Sequence, residues 1–244
     1  MNHDYLPVMT LAVFLVALLY SSVGHAGASG YIAVMALFGL PPAVIKPMAL
    51  ILNIAVACIA SYQFSQAGFF RWRLFWPLAL FSIPCAFLGG CVTIPTRLFK
   101  VLVGVVLLGA ATRFFVKPST DDQLRSPPLP TALATGGSLG FLAGLTGTGG
   151  GIFLTPLMLL LRWAETKSVA AVSAMFILVN SLAGLAGNLS STRHLPLVAG
   201  PLLAAAAVGG TAGSYLGSHR FPVLAIKRLL AVVLMVAGGK LILT

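Results

Sequence analysis

Charged side chains are so sparse in this sequence that they punctuate it. Tyr5 to Ile45 is a run of 41 residues without one; Pro47–Phe70 has 24, Leu74–Thr96 has 23 and Val101–Thr112 has 12. After a polar stretch, "KPSTDDQLRSPPLP" (Lys117–Pro130), the series resumes with Ser126–Leu161 at 36, Ser168–Thr192 at 25, His194–His219 at 26 and Leu229–Gly239 at 11. The order long, medium, medium, short occurs twice. Only 8% of the residues are charged and 59% are hydrophobic, whereas a soluble domain carries about 25% charge. That is too little charge to coat a water-facing surface, so the sequence reads as an all-α polytopic membrane protein. The first residues, "MNHDY", lack the basic start of a secretory signal, and Leu6–Val23 reads as a retained segment.

The doubled pattern is also a doubled sequence. "KPMALILN" (Lys46–Asn53) matches "SAMFILVN" (Ser173–Asn180) at an offset of 127, and "IPTRLFK" (Ile94–Lys100) matches "FPVLAIK" (Phe221–Lys227) at the same offset. Internal repeats are frequent in transporter folds. The expected organisation is a first transmembrane repeat over 1–117, a polar linker over 118–130 and a second repeat over 131–244. The medium runs suit one crossing each, since a spanning helix needs about 20 residues. The short runs extend to full helices, Leu98–Val116 and Val223–Leu243, once flanking Lys and Arg reach to the interface.

The long runs are too long for one helix and awkward for two. The second is broken by "GLTGTGGGIFLTP" (Gly144–Pro156), which leaves arms Thr131–Leu145 and Ile152–Trp163 of 15 and 12 residues. As helices these reach roughly 22 and 18 Å, short of a core of about 30 Å. The first is broken at "GHAGASG" (Gly24–Gly30), with flanks Leu6–Val23 and Tyr31–Ile45, the second shortened by Pro41–Pro42. Each long run is therefore expected to enter the membrane and return, with its glycine tip near mid-depth. With the N-terminus outside, returning hairpins place 10 of the 15 Lys and Arg inside, against 8 of 15 if each run crosses once. The positive-inside rule favours the first arrangement over a single crossing; two full crossings per long run give the same count. A hairpin plus three crossings is an odd count, so the two homologous halves would be inverted repeats with their tips facing at the midplane.

Irregular backbone inside a membrane must be buried in protein or line a cavity. The helix after "GTGGG" begins near Ile152, and its first N–H groups have no intrahelical partner, which makes an anion site. The candidate binding groups there are Gly147, Thr148, Gly149, Gly150, Gly151 and Thr155. Gly24, Gly27 and Ser29 play the same part ahead of a helix starting near Tyr31. His25, in the first tip, is a candidate for substrate contact or a proton step, or for a helix-to-helix hydrogen bond. Lys46, Asn53 and Ser61 share one helix face, and Ser173, Asn180 and Asn188 repeat the spacing. Asn53 and Asn180 are expected to line the site, with helix packing as the alternative. The scattered glycines Gly89, Gly90, Gly209 and Gly213 are expected to let helices touch closely.

Absences narrow the function. Cys58, Cys85 and Cys91 have no metal or redox spacing. The only carboxylates, Asp4, Asp121, Asp122 and Glu165, lie at an end or in loops, which argues against a metal-cation carrier and an intramembrane hydrolase. No cofactor or metal is expected, and the protein is not expected to be an enzyme. The net charge of +11 has no interleaved aromatics to suggest nucleic acid; it fits membrane orientation and an anionic substrate.

At these residues the sequence resembles the sulfite exporter TauE/SafE family of membrane permeases. The resemblance rests on "GLTGTGGGIFLTPLMLLL" (Gly144–Leu161), its degenerate partner "SSVGHAGASGYIAVMALFGLP" (Ser21–Pro41) and two related halves around a polar linker. It implies a multi-pass inner-membrane transporter of small anions such as sulfite, sulfonates or related sulfur and organic acids. His25 and Ala26 stand where the family's glycines are common, so the two tips need not contribute equally. A passive anion channel and a scaffold without transport are the rival readings.

Overall fold

The computed structural model describes residues 5–92, 124–192 and 200–219, with the single positions 98, 101, 105, 108 and 235. Among the described residues there are eight helices and no strand. They are α1 (Leu6–Ser21), α2 (Ala28–Leu37), α3 (Pro42–Gln66), α4 (Trp72–Cys91), α5 (Leu129–Thr146), α6 (Gly151–Leu160), α7 (Thr166–Thr192) and α8 (Gly200–His219). Of these, α3, α4 and α7 are long and apolar enough to cross a membrane. The helices expected at Leu98–Val116 and Val223–Leu243 lie outside the described residues, apart from the single positions named.

Both long runs are broken where the glycines fall. Gly24 and Gly27 adopt φ of 77° and 103°, and Gly147, Gly149 and Gly150 adopt 75°, 72° and 83°. This left-handed region costs other residues about 1–2 kcal/mol. Two boundaries differ from the sequence reading. Pro41–Pro42 does not shorten the helix after the first tip: α2 has already ended at Leu37, and Pro42 sits in the first turn of α3, where its missing N–H is harmless. Leu129 and Pro130, assigned to the linker, open α5 for the same reason.

Each broken run returns to its starting end. The Tyr5 ring, ahead of α1, lies 5.8 Å from the Phe38 ring, just past α2. In the second half, the N–H of Arg125, ahead of α5, donates to the carbonyl of Arg162, just past α6, at 2.9 Å. α2 and α6 have 10 residues each, about 15 Å of helix, and stop far short of a full crossing.

Contacts fix the helix directions. Leu78, Ser82 and Ala86 of α4 meet Gly136, Gly140 and Gly144 of α5 in rising order, so these helices run parallel. Phe14, Leu18 and Ser22 meet Gly209, Gly213 and Gly217 in the same way, so α1 and α8 are parallel. The Arg71 Nε donates to the Ser168 Oγ, and Cys91 lies beside Ser190, so α4 and α7 are parallel. Asn53 meets Ser181 while Phe64 packs with Ala170, Ala171 and Ala174, so α3 and α7 are antiparallel. Each half's hairpin thus sits on a helix of the other half.

The two seats are built alike. A Cβ on Gly136, Gly140 or Gly144 would strike a backbone carbonyl of α4, and one on Gly209, Gly213 or Gly217 a carbonyl of the α1 segment. Gly89 and Gly90 press equally hard on Phe141 and Gly184. Such approach gains dispersion contacts that lipid cannot supply. The packing role expected of Gly89, Gly90, Gly209 and Gly213 is the one they have.

Candidate substrate site

The tips are equivalent in build. Gly24 and Gly147 end the first arms, and Gly27 and Gly150 precede the second, all in the left-handed region. α6 starts at Gly151, close to the expected Ile152, but α2 starts at Ala28, three residues before the expected Tyr31. The cause lies on another helix: Asn53 Oδ1 of α3 accepts the Ala28 N–H at 3.1 Å and caps the first turn. A cap supplied by a distant segment leaves no local signature.

The tips meet each other. His25 Nε2, from the first tip, lies 3.0 Å from the Gly151 carbonyl and 2.8 Å from Thr155 Oγ1, both on α6. A carbonyl only accepts, so Nε2 carries the hydrogen. Thr155 Oγ1 in turn donates to Ser173 Oγ of α7 at 2.8 Å. Asn53 Nδ2 donates to the Thr148 carbonyl at 3.3 Å and to Ser181 Oγ at 3.1 Å. Asn53 therefore ties the start of α2, the second tip and α7 together. His25, Asn53, Thr148 and Thr155 are all buried.

The remaining expected residues divide. Gly149 lies against the Asn53 amide and Ser181, and Gly151 against His25 and Ile177. Gly150 backs onto Phe176. Gly24 is pressed on Ala170, Gly27 on Val16 and Tyr31, and Gly147 on Lys46, so these three serve close packing at the rim of the junction. Ser29 Oγ donates to Tyr20 Oη at 3.2 Å, on the α1 side. Asn180, 127 residues after Asn53, departs from it. Its Nδ2 donates back to the Phe176 carbonyl at 2.8 Å and its Oδ1 has no partner among the described residues, so Gly151 does not receive the cap that Asn53 Oδ1 gives Ala28.

Three participants were not among the expected site residues. Ser173 belonged to the polar stripe, whose spacing puts it on one face with Asn180 but does not say that α6 lies against it. Ser181 and Tyr20 carried no signal beyond polarity in an apolar run. Lys46, also in the stripe, turns elsewhere. Its Nζ donates to the carbonyls of Gly89, Gly90 and Val92 at 3.4, 3.1 and 3.0 Å. It closes the C-terminal end of α4, where a cation complements the helix dipole.

Four buried side-chain atoms are unpartnered among the described residues: His25 Nδ1, Ser61 Oγ, Asn180 Oδ1 and Asn188 Oδ1. Buried polar atoms are usually paired, and these four fall on the first tip and on the two polar stripes. The described residues hold no group of three His, Cys, Asp or Glu that could bind a metal. A separate apolar groove of about 360 Å³, lined by Tyr5, Leu6, Met9, Phe38 and Val44 among others, lies at the foot of the first hairpin, away from the tips.

The profile of the sulfite exporter TauE/SafE family matches residues 9–241. "Probable membrane transporter protein y4hK" of Sinorhizobium fredii is 40% identical over 239 residues, which is 96% of this chain and 97% of its own length. "Probable membrane transporter protein MJ0441" of Methanocaldococcus jannaschii is 24% identical over 202 residues, 78% of this chain and 74% of its own. No solved structure matches the chain.

Proposed function

The chain belongs to the sulfite exporter TauE/SafE family of membrane transporters, and from that premise we propose that it is a secondary transporter of a small anion such as sulfite, an organosulfonate or a related sulfur or organic acid. The observation that carries the proposal is the buried junction where two glycine-broken helices, one from each half, meet through His25 and Asn53. Unpaired N–H groups at the start of a helix attract anions. Asn53 takes the first N–H of α2, whereas no side chain caps the helix after Gly150, so the seat for negative charge is the start of α6, at Gly150 and Gly151.

The two halves are inverted repeats in this reading. Three observations support it: both hairpins return to their own end, α3 and α7 are antiparallel, and α1 with α8 mirrors α5 with α4. Inverted halves give two alternative packings of similar energy, one open to each side. Burial of both tips supports such alternation over an open channel. Transport involves no covalent chemistry and no cofactor; the partners are the anion and the lipid of the cell inner membrane, with no nucleic acid.

Purified protein in liposomes should accumulate at least one of radiolabelled sulfite, thiosulfate and methanesulfonate against its gradient. Gly149→Ala, which places a methyl on the Asn53 amide at a φ of 72°, should reduce the rate at least tenfold. Movement of none of the three would overturn the anion reading, and movement without accumulation would favour a channel.

A further inference from the structure

We infer that His25 is the binding site of a proton that crosses the membrane together with the anion, held at Nδ1. The inference rests on the anion reading above.

The hydrogen-bond pattern leaves one place for that proton. Nε2 is committed as a donor, because the Gly151 carbonyl beside it can only accept. Only Nδ1 is then free to gain or lose a hydrogen. Nδ1 is buried and has no partner among the described residues. Protonation there makes an imidazolium in a site without water-exposed surface.

Among the described residues, nothing on the surrounding elements offsets that charge. From α1 the ring is faced by Tyr20, at 6.4 Å between centroids. From α2 comes Tyr31, whose hydroxyl donates to the Ala26 carbonyl at 2.7 Å. α6 and α7 offer only the hydroxyls of Thr155 and Ser173. α3 brings Asn53 to the tips, and its cation, Lys46, is turned to the end of α4. The chain has four acidic residues; Glu165 is exposed in the loop between α6 and α7, and Asp4, Asp121 and Asp122 lie outside the described residues. The one negative charge that the junction is built to admit is the substrate itself.

A buried charge is costly alone and far less so when paired. The anion at the start of α6 and the proton on His25 therefore favour each other, by the same factor in both directions. A proton taken from the water on one side is released to the water on the other, and a monovalent anion travels without net charge.

The test uses methanesulfonate and thiosulfate, which stay ionised near neutral pH, so that any proton moved is carried by the protein; sulfite serves as a third label. Liposomes holding the full-length protein and a trapped pH dye should show about one proton entering per methanesulfonate, with uptake unchanged by an imposed potential. Label entering without a dye signal overturns the proton site but leaves the anion reading. No label entering for any of the three overturns both. His25→Gln keeps a donor where Nε2 stands and removes the titrating nitrogen. It should lose accumulation driven by a pH gradient at least tenfold; accumulation at the normal level overturns the inference. ¹⁵N NMR of histidine-labelled normal protein needs no variant. Adding the anion that the liposomes take up, at fixed neutral pH, should convert one of the four histidines to imidazolium, and an unchanged spectrum overturns the inference.

Discussion

Asn53 and Asn180 occupy matching places in the sequence pattern, 127 residues apart, and do different work. Asn53 spends its whole amide on Ala28, Thr148 and Ser181; Asn180 spends half on its own helix and leaves Oδ1 bare. Removing one partner of a buried hydrogen bond costs about 1–3 kcal/mol for each group left unpaired. Asn53→Ala should therefore lower the unfolding temperature in detergent clearly more than Asn180→Ala does. Lys46→Met strips the donor from three carbonyls at the end of α4 and should cost about 1–3 kcal/mol; Lys46→Arg should lose less, by the same melting measurement. The offset of 127 made the two asparagines legible as a pair, and the spacing placed each on a polar stripe of its own helix. Their divergence was not legible. It depends on which groups the other half of the chain brings up, and the partners of Asn53 lie 25, 95 and 128 residues away.

At the level of helices, the broken runs were readable because length and glycine content conflict with a single span. The hairpin follows from arms too short for the bilayer. The partners of those arms were not readable. Glycines spaced by four residues mark a close contact but do not say which helix comes close. Gly140 and Gly137 separate the two effects on one helix. A Cβ on Gly140 meets the Ser82 backbone, while one on Gly137 finds Cys85 and Phe81 at an ordinary 3.6 Å. Gly140→Ala should destabilise by about 1–3 kcal/mol through overpacking. Gly137→Ala should be neutral or gain up to about 1 kcal/mol from helix propensity. Thermal unfolding of the two variants side by side checks both signs.

For the whole molecule, the helix directions sort the basic side chains of the described residues. Arg71, Arg73, Arg125, Arg162 and Lys167 all lie at the end where α3 finishes and α4, α5 and α7 begin, and Lys46 is buried nearer the other. The positive-inside rule predicts that the first end is cytoplasmic. Cysteines placed at Tyr5 and Leu40 should then be labelled by an impermeant thiol reagent from outside intact cells, and cysteines at Phe69 and Ala164 only after the membrane is opened. Labelling of Tyr5 and Leu40 from opposite sides would contradict a returning first hairpin. The charge pattern in the sequence favoured this arrangement only modestly; the ring contact between Tyr5 and Phe38 is what distinguishes a return from a crossing.

The seating of α1 on α8 sets an order of events in biosynthesis. α1 ends at Ser21 and its seat begins at Gly200, so α1 leaves the ribosome well before its seat does. At roughly 5–20 residues per second, the interval is about 10–40 s. Throughout it the opening hairpin waits in the bilayer with its docking face uncovered. The strip Phe14, Leu18 and Ser22 is where a membrane chaperone or an insertase would have to shelter the nascent chain.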